Sequence, residues 1–81
     1  MDLTTVQAAK VVDARGSACP GPLLEAKKAI GGVPVNGVLE IWSNDAGTKV
    51  DIPLWAKKVG HEYIGVLDGE GYERIFVVRR K

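Results

Sequence analysis

Two prolines with one glycine between them, Pro20-Gly21-Pro22, constrain this chain more than any other three residues. Proline fixes φ and lacks an N–H, so it breaks a helix interior but fits the first turn, where N–H groups have no intrahelical partner. Strong helix formers follow, with no β-branched residue before Ile30. The pattern predicts a helix over 20–30, stopped by Gly31-Gly32 with Pro34 just beyond. Leu23, Leu24, Ala26 and Ile30 can share its apolar face, with Glu25 and Lys28 outward.

The rest of the chain arranges itself around that helix. Residues 7–14 mix apolar and polar side chains in the manner of a strand. Pro34 to Gly37 reads as a turn, and 38–43 as a strand with Leu39 and Ile41 on one face. A helix is expected over 49–60 with Gly60 as its stop. Pro53 is awkward there: it is tolerable if Asp51 or Thr48 caps the helix, and it forces a kink if the helix starts earlier. Strands at 62–68 and 72–80 flank a glycine-rich hairpin turn at 69–71. The order is β-α-β-α-β-β, in a single domain over 1–81. Two amphipathic helices can cover one face of a four-stranded mixed sheet, which gives an α/β (α+β) two-layer sandwich. Val, Trp, Tyr and Phe on the later strands leave the open face partly apolar, fit for a partner or a second copy. Trp42 and Trp55 are expected in the core or half-buried.

Composition excludes several function classes. A formal charge of +1 gives no electrostatic case for strong nucleic-acid binding, and the closing Arg79-Arg80-Lys81 reads as a solvated tail. The apolar runs fall far short of the roughly 20 residues of a membrane span. The first residues lack the basic start and apolar stretch of a secretory signal. One cysteine cannot form an internal disulfide, so a cytoplasmic protein with a reduced thiol is the default. Metal binding finds no second Cys, and His61 stands alone.

That cysteine, Cys19, immediately precedes Pro20, at or just before the expected N-cap. A helix start carries partial positive charge and favours thiolate over thiol. The prolines remove two first-turn donors and leave those of Gly21 and Leu23, so the expected shift is modest. Two fixed φ angles stiffen the turn, and Gly21 keeps bulk away from the sulfur. Such a sulfur can attack, carry a sulfur atom or sense oxidant; packing as a small buried hydrophobe is the plainer alternative, and spacing alone leaves it open. Protease-like catalysis would need a held base. His61, just past a helix stop, reads as a surface or structural group. Arg15 is the nearest cation to the thiol in sequence, although a solvated loop arginine is the simpler reading. Asp13 and Gly16 could shape the loop; more simply, one ends a strand and the other permits an unusual φ. Lys27 and Lys28 lie about 12 Å down the helix, too far to activate Cys19. With Lys57 and Lys58 they form either a docking patch or solvated helix ends.

The stretch "DARGSACPGPLLEAKKAI" resembles the TusA-like (SirA-like) family of small sulfur carriers, through Asp13, Gly16, Cys19, Pro20 and Pro22. "DIP" at 51–53, the element order and the length agree. The resemblance implies a sulfurtransferase of the carrier type: Cys19 accepts a sulfane sulfur as a persulfide and passes it on, without a cofactor. It implies a donor protein, a cysteine desulfurase or rhodanese-like sulfurtransferase, and an accepting protein in tRNA thiolation, molybdenum-cofactor supply or sulfur oxidation. Direct contact with nucleic acid or membrane is not expected. Some family members carry an acidic residue where this chain has Gly21. The fold also resembles the C-terminal domain of a bacterial translation initiation factor, which carries no function. The alternatives are a regulatory or binding module, for protein or RNA, with an inert Cys19, and a redox sensor that dimerises through it.

Overall fold

The computed structural model describes residues 7–17 and 21–81. Its elements are β1 (Lys10–Asp13), α1 (Gly21–Ala29) with a 3-10 turn at Ile30–Gly32, β2 (Val38–Ser43), α2 (Thr48–Val59), β3 (Glu62–Asp68) and β4 (Glu73–Val78). The sheet order is β1-β2-β4-β3. The β1–β2 pair is parallel and the other two pairs are antiparallel, so the expected four-stranded mixed sheet with two helices is what forms.

Strand alternation divides the sheet into two faces. Leu39 pairs with Val77 and Ile41 with Ile75, and all four are at most 1% exposed. They pack against Ala26 and Ala29 of α1 and Ile52, Trp55 and Ala56 of α2. Removing each large aliphatic side chain from water stabilises the fold by roughly 1.5–3 kcal/mol. The intervening residues, Glu40 opposite Phe76 and Trp42 opposite Arg74, belong to the face without helices.

Several boundaries differ from the sequence expectation. β1 spans 10–13 rather than 7–14, because its partner β2 begins only at Val38. β4 stops at Val78; Arg79 turns instead to the 34–37 turn, donating its N–H to Gly37 and accepting from that of Asn36. The apolar face of α1 is also shifted. Pro22, Ala26 and Ala29 are buried, and Leu24 is 49% exposed. Small alanines let the helix lie close to the sheet, and that phase turns Leu24 outward. Neither Thr48 nor Asp51 caps α2: Gly47 is the N-cap, and Thr48 is a buried first residue whose Oγ1 accepts from Ser43 Oγ at 3.0 Å. Pro53 stands inside α2, where it gives no N–H to the Lys49 carbonyl. Gly60 closes the helix at φ +89°, a left-handed cap that favours glycine.

Candidate functional site

β1 and β2 run parallel, and each is followed by a helix, so α1 and α2 both begin at the end of the sheet where these strands finish. The connections meet there. Gly16 N–H donates to Asn44 Oδ1 at 3.0 Å, Ser17 N–H to the Ala14 carbonyl at 3.2 Å, and Ala14 N–H to the Trp42 carbonyl at 2.9 Å. Gly16 sits at φ +86°, the left-handed region that only glycine enters without strain. An open cleft of about 440 Å³ lies between the loops, lined by Gly16, Ser17, Asn44, Asp45 and Ala46.

Asp13 and Arg15 form a clamp within this loop. The Asp13 carboxylate accepts from the Arg15 backbone N–H at 3.1 Å, from Nε at 2.8 Å and from a terminal guanidinium nitrogen at 2.7 Å. Hydrogen bonds from the Arg15 side chain, then from its backbone, hold Asp13 at about 2, well under the usual carboxylate range, and the same contact raises Arg15. The guanidinium also lies 4.9 Å from the Trp42 ring centre and 4.8 Å from that of Tyr72, two rings 5.4 Å apart. Cation–π contact ties the loop to the open sheet face.

The tie continues inward. Glu40, 4% exposed, accepts from Trp42 Nε1 and from Arg74 Nε at 2.9 Å. Burial pushes this carboxyl up, but the hydrogen bonds from Arg74 and Trp42 outweigh it and keep Glu40 below its ordinary value. Arg74 in turn lies over the Phe76 ring at 5.7 Å. The face that the sequence left open to a partner is thus occupied near the loop by its own ionic and aromatic side chains.

The predicted site residues divide into three groups. Cys19 and Pro20 lie outside the described residues. Asp13, Arg15, Gly16, Gly21 and Pro22 meet around the loop and the α1 start. Gly21 opens the helix, and a Cβ there would lie 3.0 Å from Ser17 Cβ, so its bareness admits Ser17; Pro22 is fully buried. Arg15 is not a freely solvated loop arginine, because Asp13 holds it through Nε and one terminal nitrogen. Lys27 and Lys28 close α1, and Lys57 and Lys58 close α2. Lys27 and Lys58 share a groove of about 240 Å³ between the helices, with Leu23, Asp51, Leu54 and Trp55, whereas Lys57 lines the other flank of α2. The lysines therefore stand at one end of the two helices but do not line a single groove.

His61 follows α2 at the end opposite the loop. Its Nδ1 accepts from the Arg80 N–H at 3.2 Å, and its ring meets Trp55 edge-on at 5.7 Å. Burial, with the charges of Arg79 and Lys81, lowers its pKa. Trp55 is buried and Trp42 half-buried, as expected. Sequence reasoning missed Asn44, Trp42 and Tyr72 as the residues that hold the loop; the available signal was the parallel pairing implied by β-α-β, which brings the connections after 14 and 43 together. Among the described residues no cluster of three or more His, Cys, Asp or Glu side chains could hold a metal, and no helix is long and apolar enough to cross a membrane.

The family described as Sulfurtransferase TusA matches residues 10–80. A protein of Archaeoglobus fulgidus described as a candidate sulfur carrier is 51% identical over 71 residues, covering 88% of this chain and 97% of its own length. The sulfur carrier protein TusA of Pseudomonas entomophila is 31% identical over 70 residues and covers 86% of each chain. A crystal structure of a SirA-like protein from Desulfitobacterium hafniense has the same fold, with a TM-score of 0.76 at 23% identity, over 89% of this chain and 99% of that one.

Proposed function

The chain belongs to the sulfurtransferase TusA family, and from that premise we propose that it is a single-domain sulfur carrier of the cytoplasm whose Cys19 holds the transferred sulfur as a persulfide. One observation carries the reading: the family match over 10–80 encloses the chain's single cysteine, so sulfur transfer through a thiol has one candidate atom.

The chemistry is an exchange at sulfur. The Cys19 thiolate attacks the outer sulfur of a donor persulfide; a new S–S bond forms, the donor's S–S bond breaks, and the donor leaves as a thiolate. An acceptor thiolate then attacks the outer sulfur on Cys19, which leaves as a thiolate in turn. Each step is isoelectronic and needs no cofactor. Thiolate character comes from the α1 start, while Asp13 engages the Arg15 guanidinium. Pro20 and Pro22 fix the direction of the turn, and Gly21 admits Ser17 beside it. Asp13, Arg15 and Gly16 act as positioning residues that tie the loop to Trp42, Tyr72 and Asn44. The donor is a cysteine desulfurase or rhodanese-like sulfurtransferase. The acceptor is a protein of tRNA thiolation, molybdenum-cofactor supply or sulfur oxidation. Lys27, Lys28, Lys57 and Lys58 are the docking candidates for either.

The test is mass spectrometry after incubation with a desulfurase and cysteine, or with thiosulfate. The peptide containing Cys19 should gain the mass of one sulfur atom, reversed by dithiothreitol, and Cys19→Ser should fold normally and gain nothing. Absence of the adduct under both conditions, or its persistence in Cys19→Ser, would overturn the reading.

A further inference from the structure

The whole-chain charge of +1 conceals a strong separation along the sheet. Lys27, Lys28, Lys57 and Lys58 occupy the last turns of the two helices. At the same end Lys10 opens β1, and Arg79, Arg80 and Lys81 follow β4. These are eight of the chain's eleven Lys and Arg; among the described acidic residues Glu62 lies with them, Glu25 pairs with Lys28 at 3.9 Å and Asp51 shares the groove of Lys27 and Lys58, which leaves a formal excess of five positive charges. Helix dipoles favour cations in last helical turns and account for four of the eight. They do not account for Lys10, Arg79, Arg80 and Lys81, which flank strands.

This end also carries a shaped surface. A groove of about 560 Å³ opens between α2 and the start of β3, with Pro53, Lys57, His61, Tyr63 and Arg80 among its lining. Tyr63 is 37% exposed, and Val35 and Val59 of the same end are 54% and 40% exposed. Lys57 is exposed and lines this groove, whereas Lys58 shares the groove between the helices with Asp51. Beyond the effect of burial, Arg79 and Lys81 help to hold His61 in its neutral form, which is what a positive local field does.

We propose that this basic end is a docking site for an acidic polypeptide segment of a partner protein, separate from the loop end that leads to Cys19. The inference takes from the carrier reading only that protein partners exist. Exposed apolar side chains and cations at the same end suit a segment that alternates carboxylates with apolar residues. Single-stranded nucleic acid is disfavoured, because such sites stack successive bases on several aromatic rings. Among the described residues this end exposes one phenol ring, that of Tyr63, while Trp42 and Tyr72 stand at the other end beside Arg15. A partner held here leaves the loop end, at the opposite end of the strands, free to meet a second protein.

The experiment titrates the full chain with a fluorescein-labelled peptide of alternating Glu and Leu, about twelve residues long, and in parallel with a labelled single-stranded RNA of matching length. The peptide should bind, weaken as salt rises, and shift the imidazole signal of His61, the chain's one histidine. Lys57→Glu combined with Lys81→Glu, both at exposed positions, should weaken it about tenfold without loss of fold by circular dichroism. No peptide binding at low salt, binding undiminished by the double reversal, or tighter binding of the RNA would each overturn the proposal. Sulfur loading of Cys19 from thiosulfate is measured on the same samples. Peptide binding without loading counts against the carrier reading and supports this one, and loading without peptide binding does the reverse.

Discussion

On β2 and β4, Leu39, Ile41, Ile75 and Val77 face the helices with at most 1% exposure, while their neighbours Glu40, Trp42, Arg74 and Phe76 face the other way. The first set is fully buried, the second is buried at Glu40 and Phe76 and half-buried at Trp42 and Arg74, and different physics holds each. The first is removed from water by packing, which is non-directional and tolerant of neighbours. The second is held by hydrogen bonds and ring contacts that demand particular partners: Glu40 with Arg74 and Trp42, Trp42 with Tyr72, and both rings with Arg15. The helix-covered face thus determines that the chain folds, and the other face determines where the 13–17 loop sits. Substitutions on the two faces should fail differently.

The largest effect belongs to the packed face. Ile41→Ala removes a fully buried side chain and should cost about 3 kcal/mol, a large share of the roughly 4–12 kcal/mol a domain of this size holds. Urea unfolding should show a lower midpoint at unchanged slope. A loss under about 1 kcal/mol would mean that the helices contribute far less than their burial suggests.

On the opposite face, Arg74→Met keeps apolar cover over Phe76 and leaves the Glu40 carboxylate without its cation. A loss of about 2 kcal/mol is expected, and adding Glu40→Gln should restore part of it, since an amide needs no counter-charge. The pH dependence supplies the sign. In the parent, Glu40 titrates below its ordinary value, so its contribution is complete above the unfolded value and is lost as pH falls. Without Arg74, burial dominates and raises the pKa, so the variant should lose stability as pH rises. If Arg74→Met costs nothing at any pH, the ionic account of this face is wrong.

The same division explains what could be read in advance. The spans of β2 and β3 match the sequence expectation, because alternation and flanking turn residues are local signals. The sequence places Leu24 on the apolar face of α1 and omits Ala29, because apolar spacing does not fix which side of that stripe meets the sheet; the structure packs α1 through Ala26 and Ala29. The Glu40–Arg74 pair joins residues 34 apart and the Gly16–Asn44 bond residues 28 apart, so no local pattern announces either. Composition hid the basic end for a related reason, since a sum of charges carries no positions. The motif from Asp13 to Pro22, by contrast, was legible as a unit because its parts are contiguous.

Gly16→Ala isolates the loop from packing altogether. A Cβ at Gly16 would have nothing within 4 Å, so the penalty comes from φ +86° alone. It should be about 1 kcal/mol, close to that of a side chain forced into the left-handed region anywhere. The informative readout is the rate at which iodoacetamide alkylates Cys19, which should change by more than the stability does if the loop sets the thiol's presentation. An unchanged rate would detach Gly16 from the site.

The smallest effect is the titration of the clamp. Arg15 holds Asp13 at about 2, through its side chain first and its backbone N–H second. A depressed carboxylate contributes fully above its unfolded value, about 3.9, and loses that contribution as pH falls through the folded value. Between about pH 4 and 2, then, the Arg15 Nε–H resonance should move away from the position imposed by the Trp42 and Tyr72 rings, with its midpoint near the lower end. Both partners are nearly half exposed, at 42% and 48%, so molar salt should raise that midpoint, whereas the better-buried Glu40–Arg74 pair should respond less. In Asp13→Asn the transition should vanish while the Gly16 N–H stays protected by Asn44. A midpoint at the ordinary carboxylate value would show that the clamp does not form in solution, and the open face would then lose its link to the loop.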